Sequence, residues 1–402
     1  MKILHTADWH LGKRLDSFSR IEEQVQVMDE ICQIAEREHV DLVIVAGDLF
    51  DAFHPSIEAI ELLYKTLKKL TADGSRPVVA IAGNHDSTGL IDAPDPLARE
   101  CGIIMIGSPL HSVPEMIHTD FSITKSEPGF FELKMKHLDY PIRLLHTPYA
   151  NETRLHAYFD NDKTVMLNQL MSDSWNSLAE KYCDSKGVNI LAAHLFVVSK
   201  DGVIPDEPES EKPIRIGNAD MIYANNIPNQ IQYTALGHLH AFQNVGTEER
   251  PAIYSSSPLS YSFSEAGQKK YAVIIDVQPD QSAKFVKVEL MKGRKLYRKT
   301  FDDIEIAIQW LEQHPDALLE LTIVSDTFLS AEDRQRLIKA HDGIIHIIPS
   351  IKNLPMNNDK VTNINLNQDI KMLFRDYFKS KNMNQEPGDE IMLLFDEILQ
   401  NS

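Results

Sequence analysis

Apolar residues in the first two thirds of the chain follow two alternating patterns. Short runs rich in valine, isoleucine and leucine predict buried strands, as in "VDLVIVAGD" at residues 40–48 and "VNILAAH" at residues 188–194. Between such runs, apolar residues at helical spacing predict amphipathic helices at residues 21–35 and 57–70. Strands that alternate with helices indicate βαβ crossovers, in which the helices cover the faces of a sheet. We therefore expect an α/β fold for this part of the chain.

The pattern changes near residue 277, which predicts a first domain at residues 1–276. The runs "YAVIIDV" and "AKFVKVELM" are typical of a β-hairpin. Two helical patterns, at residues 303–313 and 331–340, then alternate with the strand-like runs "LLELTIVS" and "IIHIIP". This order predicts a small α+β domain at residues 277–350.

The end of the chain has a third composition. Residues 351–367 are polar and rich in asparagine, which is typical of a linker. Residues 368–402 contain two short helical patterns, and each has an apolar stripe that one helix cannot bury by itself. These two helices either pack against each other, fold back onto the small domain, or bind a partner protein.

Composition and charge narrow the class of protein. The 402 residues, of which 43% are hydrophobic and 25% charged, are typical of a soluble globular chain, and no apolar run approaches the length of a membrane span. The amino terminus lacks the layout of a signal peptide and the three cysteines show no CxxC spacing, so we expect a cytoplasmic protein. The net charge of −19 argues against a protein that binds nucleic acid through a basic surface of its own.

Residues of metal-ligand type directly follow five of the apolar runs. The motifs "ADWH", "AGD", "GNHD", "AAH" and "GHLH" carry Asp8, His10, Asp48, Asn84, His85, Asp86, His194, His238 and His240. In α/β proteins ligands bind outside the carboxyl ends of the strands, so we expect these side chains to converge. Glycine precedes Asp48, Asn84 and His238, where it permits tight turns that aim the side chains inward. Aspartate, asparagine and histidine without cysteine favour a catalytic manganese, iron or zinc site over a closed structural zinc site.

The number of these residues indicates more than one ion. Two ions that share a bridging carboxylate would use all seven candidate ligands, which are Asp8, His10, Asp48, Asn84, His194, His238 and His240. Such a pair suits the hydrolysis of a phosphate ester, because it holds both the attacking and the leaving oxygen. Each motif alone is a weak signal. A lone histidine after a strand, such as His194, is more often a core residue than a metal ligand. The five motifs together favour a di-metal site.

These motifs resemble those of the calcineurin-like metallophosphoesterase superfamily, whose fold is a β-sandwich flanked by helices. Within it, "MKILHTADWHLGK", "DLVIVAGDLFD", "PIRIGNADMI" and "YSSSPLSYSFSEAGQKK" resemble the SbcD family of bacterial nuclease subunits. That family is related to the archaeal and eukaryotic nucleases of double-strand-break repair. The resemblance is close over residues 1–276 and extends to the rest of the chain in layout only. It implies the β-sandwich, a small capping and DNA-binding α/β domain at residues 277–350, and C-terminal helices.

The resemblance also implies a role for each ligand-type residue. It assigns Asp8, His10, Asp48 and His240 to the first metal, and Asp48, Asn84, His194 and His238 to the second, with Asp48 bridging. His85 matches the family's catalytic histidine, which contacts the scissile phosphate and assists the leaving oxygen. Asp86 is expected to orient His85 or its loop. The implied cofactor is two divalent ions per chain, with Mn2+ expected.

One position departs from the family pattern. Archaeal relatives have a second histidine shortly after the "GDLF" stretch, where this chain has Asp51, and His54 is a candidate replacement. Lysine and arginine supply most contacts to DNA phosphates, so the candidate substrate-binding residues are Lys13, Arg14, Arg20 and Arg215, together with His54. A solvated surface position is an equally good interpretation for each of them.

The function that the resemblance implies is that of a manganese-dependent DNA nuclease subunit. It would act as a double-strand exonuclease and as a single-strand and hairpin endonuclease in DNA end processing, recombination and repair. The implied partner is an SbcC-type coiled-coil ATPase, bound by the helical pair at residues 368–402. The chain itself has no phosphate-binding loop of the G-x-x-x-x-G-K-[ST] type, so ATP hydrolysis is expected to come from this partner. The family also implies a homodimer within a heterotetramer, paired through helices at residues 21–35 or 57–70, and no membrane partner.

Two other functions stay open at this point. The first is a metallophosphoesterase that acts on a small phosphodiester or phosphomonoester with the same metal site. Such an enzyme needs neither the small domain nor the terminal helices. The second is a non-catalytic DNA-end scaffold with a structural metal site, which the presence of His85 beside all seven ligand positions disfavours.

Overall fold

The computed structural model describes residues 1–157, 163–199, 221–326, 329–351, 370–381, 387–388, 391–392 and 395. The chain divides into two compact units, Met1–Ser350 and Ile351–Ser402. The strands are β1 (Lys2–Thr6), β2 (Arg14–Leu15), β3 (Phe18–Ser19), β4 (Leu42–Ala46), β5 (Val78–Ile81), β6 (Ile103–Ile106), β7 (Met116–Ile117), β8 (Phe121–Glu127), β9 (Phe130–Met135), β10 (Ile142–Thr147), β11 (Val188–His194), β12 (Phe196–Val198), β13 (Met221–Tyr223), β14 (Tyr233–Gly237), β15 (Gln243–Asn244), β16 (Ala252–Tyr254), β17 (Tyr271–Asp276), β18 (Lys284–Glu289), β19 (Lys295–Phe301), β20 (Ala317–Ser325) and β21 (Ile344–Ile351). The helices are α1 (Ile21–Arg37), α2 (Ile57–Leu70), α3 (Thr88–Asp92), α4 (Asp95–Glu100), α5 (Glu152–Leu155), α6 (Lys163–Tyr182), α7 (Ile304–Glu312), α8 (Ala331–Ala340) and α9 (Ile370–Lys381).

Two large sheets form the centre of the first unit. The six-stranded sheet has the order β18-β17-β1-β4-β5-β6, and its strands β1, β4, β5 and β6 are parallel. The eight-stranded sheet has the order β15-β16-β14-β11-β10-β9-β8-β7, and its strands β10, β11, β14 and β16 are parallel. Parallel neighbours place their carboxyl ends at one edge of a sheet, so the residues that follow these strands gather there.

The two sheets pack face to face, and helices cover both outer faces. Side chains from the two sheets share one core, for example Ile44 from the first and Leu144 from the second. Helices α1 and α2 pack on the outer face of the first sheet, and α6 packs on that of the second. Strand β4 is therefore buried on both faces, which explains why all five of its residues are apolar. The predicted β-sandwich flanked by helices is confirmed, as are the helices predicted at residues 21–35 and 57–70.

The predicted hairpin forms, but it belongs to the first sheet. Strand β17 pairs antiparallel with β1, and β18 extends the sheet beyond β17. Lys2 therefore lies opposite Asp276, from the other end of this part of the chain. The domain boundary predicted at residue 276 falls inside the hairpin, and the first sheet extends to Glu289.

A smaller sheet follows the hairpin. It has the order β19-β20-β21, and α7 and α8 pack with it around a core of their own that includes Leu311, Leu321 and Leu337. Helix α7 begins after Asp303, whose carboxylate accepts hydrogen bonds from the backbone N–H groups of Glu305 and Ile306. The predicted alternation of strands and helices is confirmed, although the sequence did not reveal the first strand, β19.

The second unit is described mainly by α9. The ring of Phe374 in this helix stacks on that of Phe395, with 4.0 Å between the ring centroids. The predicted linker, except residue 351, and most of the last predicted helix lie outside the described residues. Of the helices that are described, none combines the length and apolar character needed to cross a membrane.

Candidate metal centre

The five motifs of metal-ligand type meet where the parallel strands of the two sheets end. Asp8 and His10 follow β1, Asp48 follows β4, and Asn84 follows β5, all in the six-stranded sheet. His194 ends β11, and His238 and His240 follow β14, in the facing eight-stranded sheet. Hydrogen bonds connect the two sheets at this edge: the backbone N–H of His238 donates to Asp8 Oδ1 at 2.8 Å, and His194 Nδ1 lies 2.9 Å from the carbonyl oxygen of Ala46.

One group of side chains gathers on the side of β1. Asp8, His10 and Asp48 each place a ligand atom within 4.8 Å of those of the other two, and all three residues are fully buried. His240 joins them, because its Nε2 lies 3.1 Å from Nε2 of His10. These four residues are the set that the family resemblance implies for the first metal.

A second group shares Asp48 with the first. Asp48, His194 and His238 place their ligand atoms within 4.8 Å of one another. Asn84 Oδ1 lies 2.9 Å from His194 Nε2, which adds the amide oxygen to the group. The structure therefore brings all seven candidate ligands together in two groups with one common carboxylate.

The donor atoms fit divalent cations. Asp8 Oδ2 is buried and accepts no hydrogen bond from any residue that the structure describes. A buried carboxylate oxygen without a donor is unfavourable, and a cation removes that cost. Carboxylate, imidazole and amide donors without thiolate match Mn2+, Fe2+ or Zn2+ in open catalytic sites.

The charges of this centre depend strongly on burial. Burial raises the pKa of Asp8 to about 7, against the opposing effect of His194 and His240. Burial also disfavours the charged form of Asp48, but the charge of His194 and a hydrogen bond from it hold the Asp48 pKa well below its usual range. Burial alone would lower the pKa of His194, whereas Asp48 raises it to about 9. Ligand histidines must be neutral and ligand carboxylates ionised, so cation binding releases protons from this cluster.

Glycine is required at two positions because backbones and side chains approach closely there. A Cβ atom on Gly83 would lie 2.0 Å from Asp48 Oδ1, and one on Gly237 would lie 1.7 Å from the carbonyl oxygen of Ala46. Any larger residue would push apart the strand ends that carry the candidate ligands. Glycine is thus needed before Asn84 and His238 for close approach and not for the predicted tight turn, whereas Gly47, before Asp48, does have a positive φ of 91°.

His85 lies at the edge of both groups and is 3% exposed. Its backbone N–H donates to Asp48 Oδ1 at 2.9 Å, and its ring lies 4.9 Å from that of His10. Its Nδ1 is 2.6 Å from the carbonyl oxygen of Asp51, so Nδ1 carries the proton and donates it there. In this tautomer the lone pair of the ring is on Nε2.

Two residues fix the loop that carries Asn84 and His85. The Asp86 carboxylate accepts hydrogen bonds from the backbone N–H groups of Gly83, Leu49 and Phe50, and so joins the loops after β4 and β5 as expected. Arg154, which sequence analysis did not single out, donates to the carbonyl oxygens of Gly83 at 2.9 Å and Asp86 at 2.7 Å. No local pattern marks Arg154, because its partners lie about seventy residues away in the chain.

A buried ion pair that the sequence did not predict lies behind His240. Glu265 Oε1 lies 3.2 Å from His240 Nδ1, and Glu265 Oε2 accepts a hydrogen bond from Lys270 Nζ at 2.6 Å. Both residues belong to "YSSSPLSYSFSEAGQKK", a stretch quoted for its resemblance to the family but without a role. The resemblance was the only signal that could have drawn attention to them.

The residues predicted to contact DNA have different environments. Lys13 is 7% exposed, and its Nζ lies 2.6 Å from Asp51 Oδ1. Arg14 is exposed on β2 and donates to the carbonyl oxygen of Ser17. Lys13 is therefore paired beside the metal centre, whereas Arg14 is accessible to solvent.

Arg20 and His54 are not part of the centre as the structure describes it. Arg20 is 1% exposed and donates to both carboxylate oxygens of Glu23, at 2.6 and 2.9 Å, so its placement does not support the predicted DNA contact. His54 is exposed and lies outside the ligand groups found among the described residues. Arg215 lies outside the described residues.

Two solved structures match the chain with low scores. A dimetal phosphatase from Danio rerio is 11% identical, covers 72% of this chain and 99% of its own, and gives a TM-score of 0.38. The phosphopantetheinyl hydrolase of Mycobacterium tuberculosis is 14% identical, covers 64% of this chain and 90% of its own, and gives a TM-score of 0.34. At these scores neither structure bears on the function.

The sequence comparisons are much stronger. The profile of the calcineurin-like phosphoesterase family matches residues 1–241. The SbcD protein of the SbcCD nuclease from Bacillus subtilis (strain 168) is 34% identical over 402 residues, which is 99% of this chain and 97% of that protein. The SbcD protein of Staphylococcus epidermidis is 28% identical over 76% of this chain and 74% of its own length. The chain therefore belongs to the calcineurin-like phosphoesterase family and, within it, to the SbcD family of nuclease proteins.

Proposed function

We propose that this chain is the manganese-dependent nuclease subunit of an SbcCD-type complex and hydrolyses DNA phosphodiesters. It would act as a double-strand exonuclease and as a single-strand and hairpin endonuclease in DNA end processing, recombination and repair. The observation that carries the proposal is the pair of ligand groups that share Asp48 at the carboxyl ends of both sheets. Relatives that match most of the chain are named nucleases, which supports DNA as the substrate.

Each candidate ligand has a role in this proposal. The first ion is assigned to Asp8, His10, Asp48 and His240, and the second to Asp48, Asn84, His194 and His238. When bound, two such ions lower the pKa of water and neutralise the charge that develops on a phosphate ester. Manganese suits the carboxylate and amide oxygens of this set, which contains no thiolate. The chain contributes a buried, closely packed frame that fixes the positions of these donors before substrate binds.

His85 is assigned to contact with the scissile phosphate and to proton delivery to the leaving oxygen. Its Nδ1 donates to the carbonyl oxygen of Asp51, which fixes the ring and leaves Nε2 for the substrate. Proton transfer by a positioned imidazole contributes about 10²- to 10⁴-fold to a rate. Arg14, exposed on β2 close in sequence to His10, is assigned to the DNA backbone, to which guanidinium groups bind well.

The second unit is assigned to the partner protein. Met372 and Tyr377 of α9 are 55% and 56% exposed, and such an apolar surface fits contact with a coiled-coil ATPase of the SbcC type. In the complex the chain would form a homodimer within a heterotetramer in the cytoplasm. The linker would connect the nuclease domain, which extends to Glu289, and the small capping domain at residues 295–350 to this partner-binding end.

The test is a cleavage assay with Mn2+ on three substrates: linear duplex DNA, a DNA hairpin and a chromogenic phosphodiester. The purified chain is assayed alone and with the ATPase partner, and the Asp48→Asn variant is the control for the shared carboxylate. We expect Mn2+-dependent cleavage of both DNA substrates and its loss in the variant. Activity on the small ester alone, even with the ATPase partner, would identify a small-molecule phosphoesterase. DNA binding without cleavage of any substrate would identify a scaffold.

A further inference from the structure

We propose that Glu265, held in place by Lys270, is a positioning residue that sets the affinity of the first metal site through His240. This inference rests on the proposed function, because that proposal assigns His240 as a metal ligand. It goes further in giving the neighbouring ion pair a role in cation binding.

The geometry aims one nitrogen of His240 at the metal centre. Glu265 is 2% exposed and lies in the short turn Phe263–Glu265. Its Oε1 lies 3.2 Å from His240 Nδ1 and also accepts a hydrogen bond from the backbone N–H of Tyr261 at 3.1 Å. The carboxylate therefore keeps the proton on Nδ1, so the lone pair of His240 is on Nε2. That atom lies 3.1 Å from His10 Nε2, inside the first ligand group.

Lys270 fixes both the carboxylate and the backbone of His240. It is 6% exposed, and its Nζ donates to Glu265 Oε2 at 2.6 Å. The same ammonium group donates to the carbonyl oxygen of His240 at 2.9 Å and to Ser257 Oγ at 3.0 Å. A buried carboxylate is tolerated only when it is paired and hydrogen-bonded, and Lys270 meets that need. The ring and the backbone of His240 are thus held by one ion pair.

A carboxylate behind a ligand histidine acts on the metal in two ways. It holds the ring at a fixed angle and makes the other nitrogen more basic, and its loss typically weakens metal binding about 10- to 100-fold. The three groups Glu265, His240 and a cation would form such an arrangement here. Lys270 adds a rigid anchor, so that the carboxylate cannot turn away when the cation leaves.

The test uses metal-free full-length protein titrated with MnCl2 in a calorimeter. Glu265→Gln keeps the size of the side chain and removes its charge, so one of the two Mn2+ binding events should weaken at least about tenfold while the other stays unchanged. Glu265→Asp keeps the charge but shortens the reach by one methylene, and it should weaken the same event. If Glu265→Gln does not fold, which circular dichroism at increasing temperature would reveal, Glu265→Asp provides the test instead.

The matched control removes a comparable buried carboxylate away from the metal centre. Glu132 is 2% exposed on β9 and pairs with Lys125 at 3.1 Å and Arg143 at 3.5 Å. Glu132→Gln should lower the unfolding temperature and leave both Mn2+ affinities unchanged. A merely structural role for Glu265 would give the same result as this control.

The His240→Ala variant separates the inference from the proposed function. If His240→Ala weakens one Mn2+ event and Glu265→Gln does not, the inference is overturned and the ligand set stands. If His240→Ala changes neither event, the ligand set fails and the inference fails with it. Support requires that Glu265→Gln weakens binding in the native chain and has no further effect in the His240→Ala background.

Discussion

At the scale of single residues, the candidate metal centre is built on an unusual backbone. Asp8, His10, Asp48 and His238 have φ angles of 55°, 44°, 47° and 108°, in the region that side chains rarely adopt. Such positions cost about 1–3 kcal/mol each and persist only where the surroundings fix them. Here the backbone N–H of Asp8 donates to the carbonyl oxygen of Gly47, and that of His10 to the carbonyl oxygen of Asp48. The turns after β1 and β4 therefore hold each other in the conformation that turns the ligands inward.

His85→Ala should separate chemistry from metal binding. The proposal gives His85 a proton to transfer and no metal to bind, so the variant should lose at least about 100-fold in DNA cleavage rate. Its Mn2+ content, measured by atomic emission after removal of free metal, should equal that of the unaltered chain. Cleavage at the native rate would refute the assigned role, and loss of bound Mn2+ would show that His85 supports the ligands instead.

His146→Leu should reduce the sensitivity of the metal-free protein to acid. His146 is 1% exposed, and neither ring nitrogen has a hydrogen-bond partner among the described residues. Burial, with a smaller effect from His111, lowers the pKa of His146 to about 3, whereas an unfolded histidine titrates near 6.5. The unfolded state thus gains a proton first, so stability is complete above pH 6.5 and falls as the pH drops towards 3. At pH 5 this one group costs about 2 kcal/mol.

Urea unfolding at pH 7 and pH 5 measures this effect. The native chain should lose about 2 kcal/mol more than His146→Leu between the two pH values. His54→Leu, at an exposed position, is the control and should behave like the native chain. Equal losses in the native chain and in His146→Leu would contradict the prediction.

The ligands could be predicted from sequence, whereas the residues that position them could not. Asp48 or His194 is recognisable because a strand precedes it directly and the polar residue types recur at the ends of other strands. Arg154 and Glu265 have no such signal, because their roles arise from contacts with Asp86 and His240 that only the folded chain makes. A buried glutamate or an arginine on a short helix looks the same in sequence as a surface residue.

At the scale of elements, the helices could be predicted from sequence, whereas the pairing of distant strands could not. The predicted helices at residues 21–35 and 57–70 depend on local periodicity, and both occur as α1 and α2. The position of the hairpin depends instead on the pairing of β17 with β1, which joins Lys2 to Asp276. Local pattern contains no information on such a pairing, so the sequence predicts the hairpin but not the sheet to which it belongs. Long-range strand order is the part of this fold that sequence could not give.

Arg154→Lys should slow cleavage through the loop after β5. The guanidinium of Arg154, on α5, reaches the carbonyl oxygens of Gly83 and Asp86 at the two ends of the segment that carries Asn84 and His85. A lysine ammonium is a compact donor and cannot span both positions, so the segment should move by a fraction of an ångström. We expect kcat to fall about tenfold, since misplacement of about 1 Å can cost 10²-fold.

Steady-state kinetics on duplex DNA with saturating Mn2+ measure this change. KM should stay close to its native value, because Arg154 acts through the loop and is not assigned to the substrate. Arg336→Lys on the exposed face of α8 is the control and should leave both constants unchanged. A rise in KM without a fall in kcat would indicate instead that Arg154 contacts DNA.

At the scale of the whole molecule, the candidate metal centre joins the two sheets of the sandwich. Asp8, Asp48 and Asn84 come from the six-stranded sheet, whereas His194 and His238 come from the eight-stranded sheet. Cations bound there would link segments that are far apart in the chain. Because only the folded chain brings these segments together, the cations would bind only the folded state. Binding at one site with free metal at 100 times its Kd should add about 2.7 kcal/mol to the free energy of unfolding.

Urea unfolding with EDTA and with Mn2+ would measure this stabilisation. We expect Mn2+ to stabilise the native chain and to have little effect on Asp48→Asn, because that residue belongs to both ligand groups. Hydrogen exchange should slow in both sheets when Mn2+ binds, at the amides near the ends of β4 and β11. Slower exchange in one sheet alone would mean that the cations do not bridge the sandwich, and an equal stabilisation of Asp48→Asn would place the bound metal elsewhere.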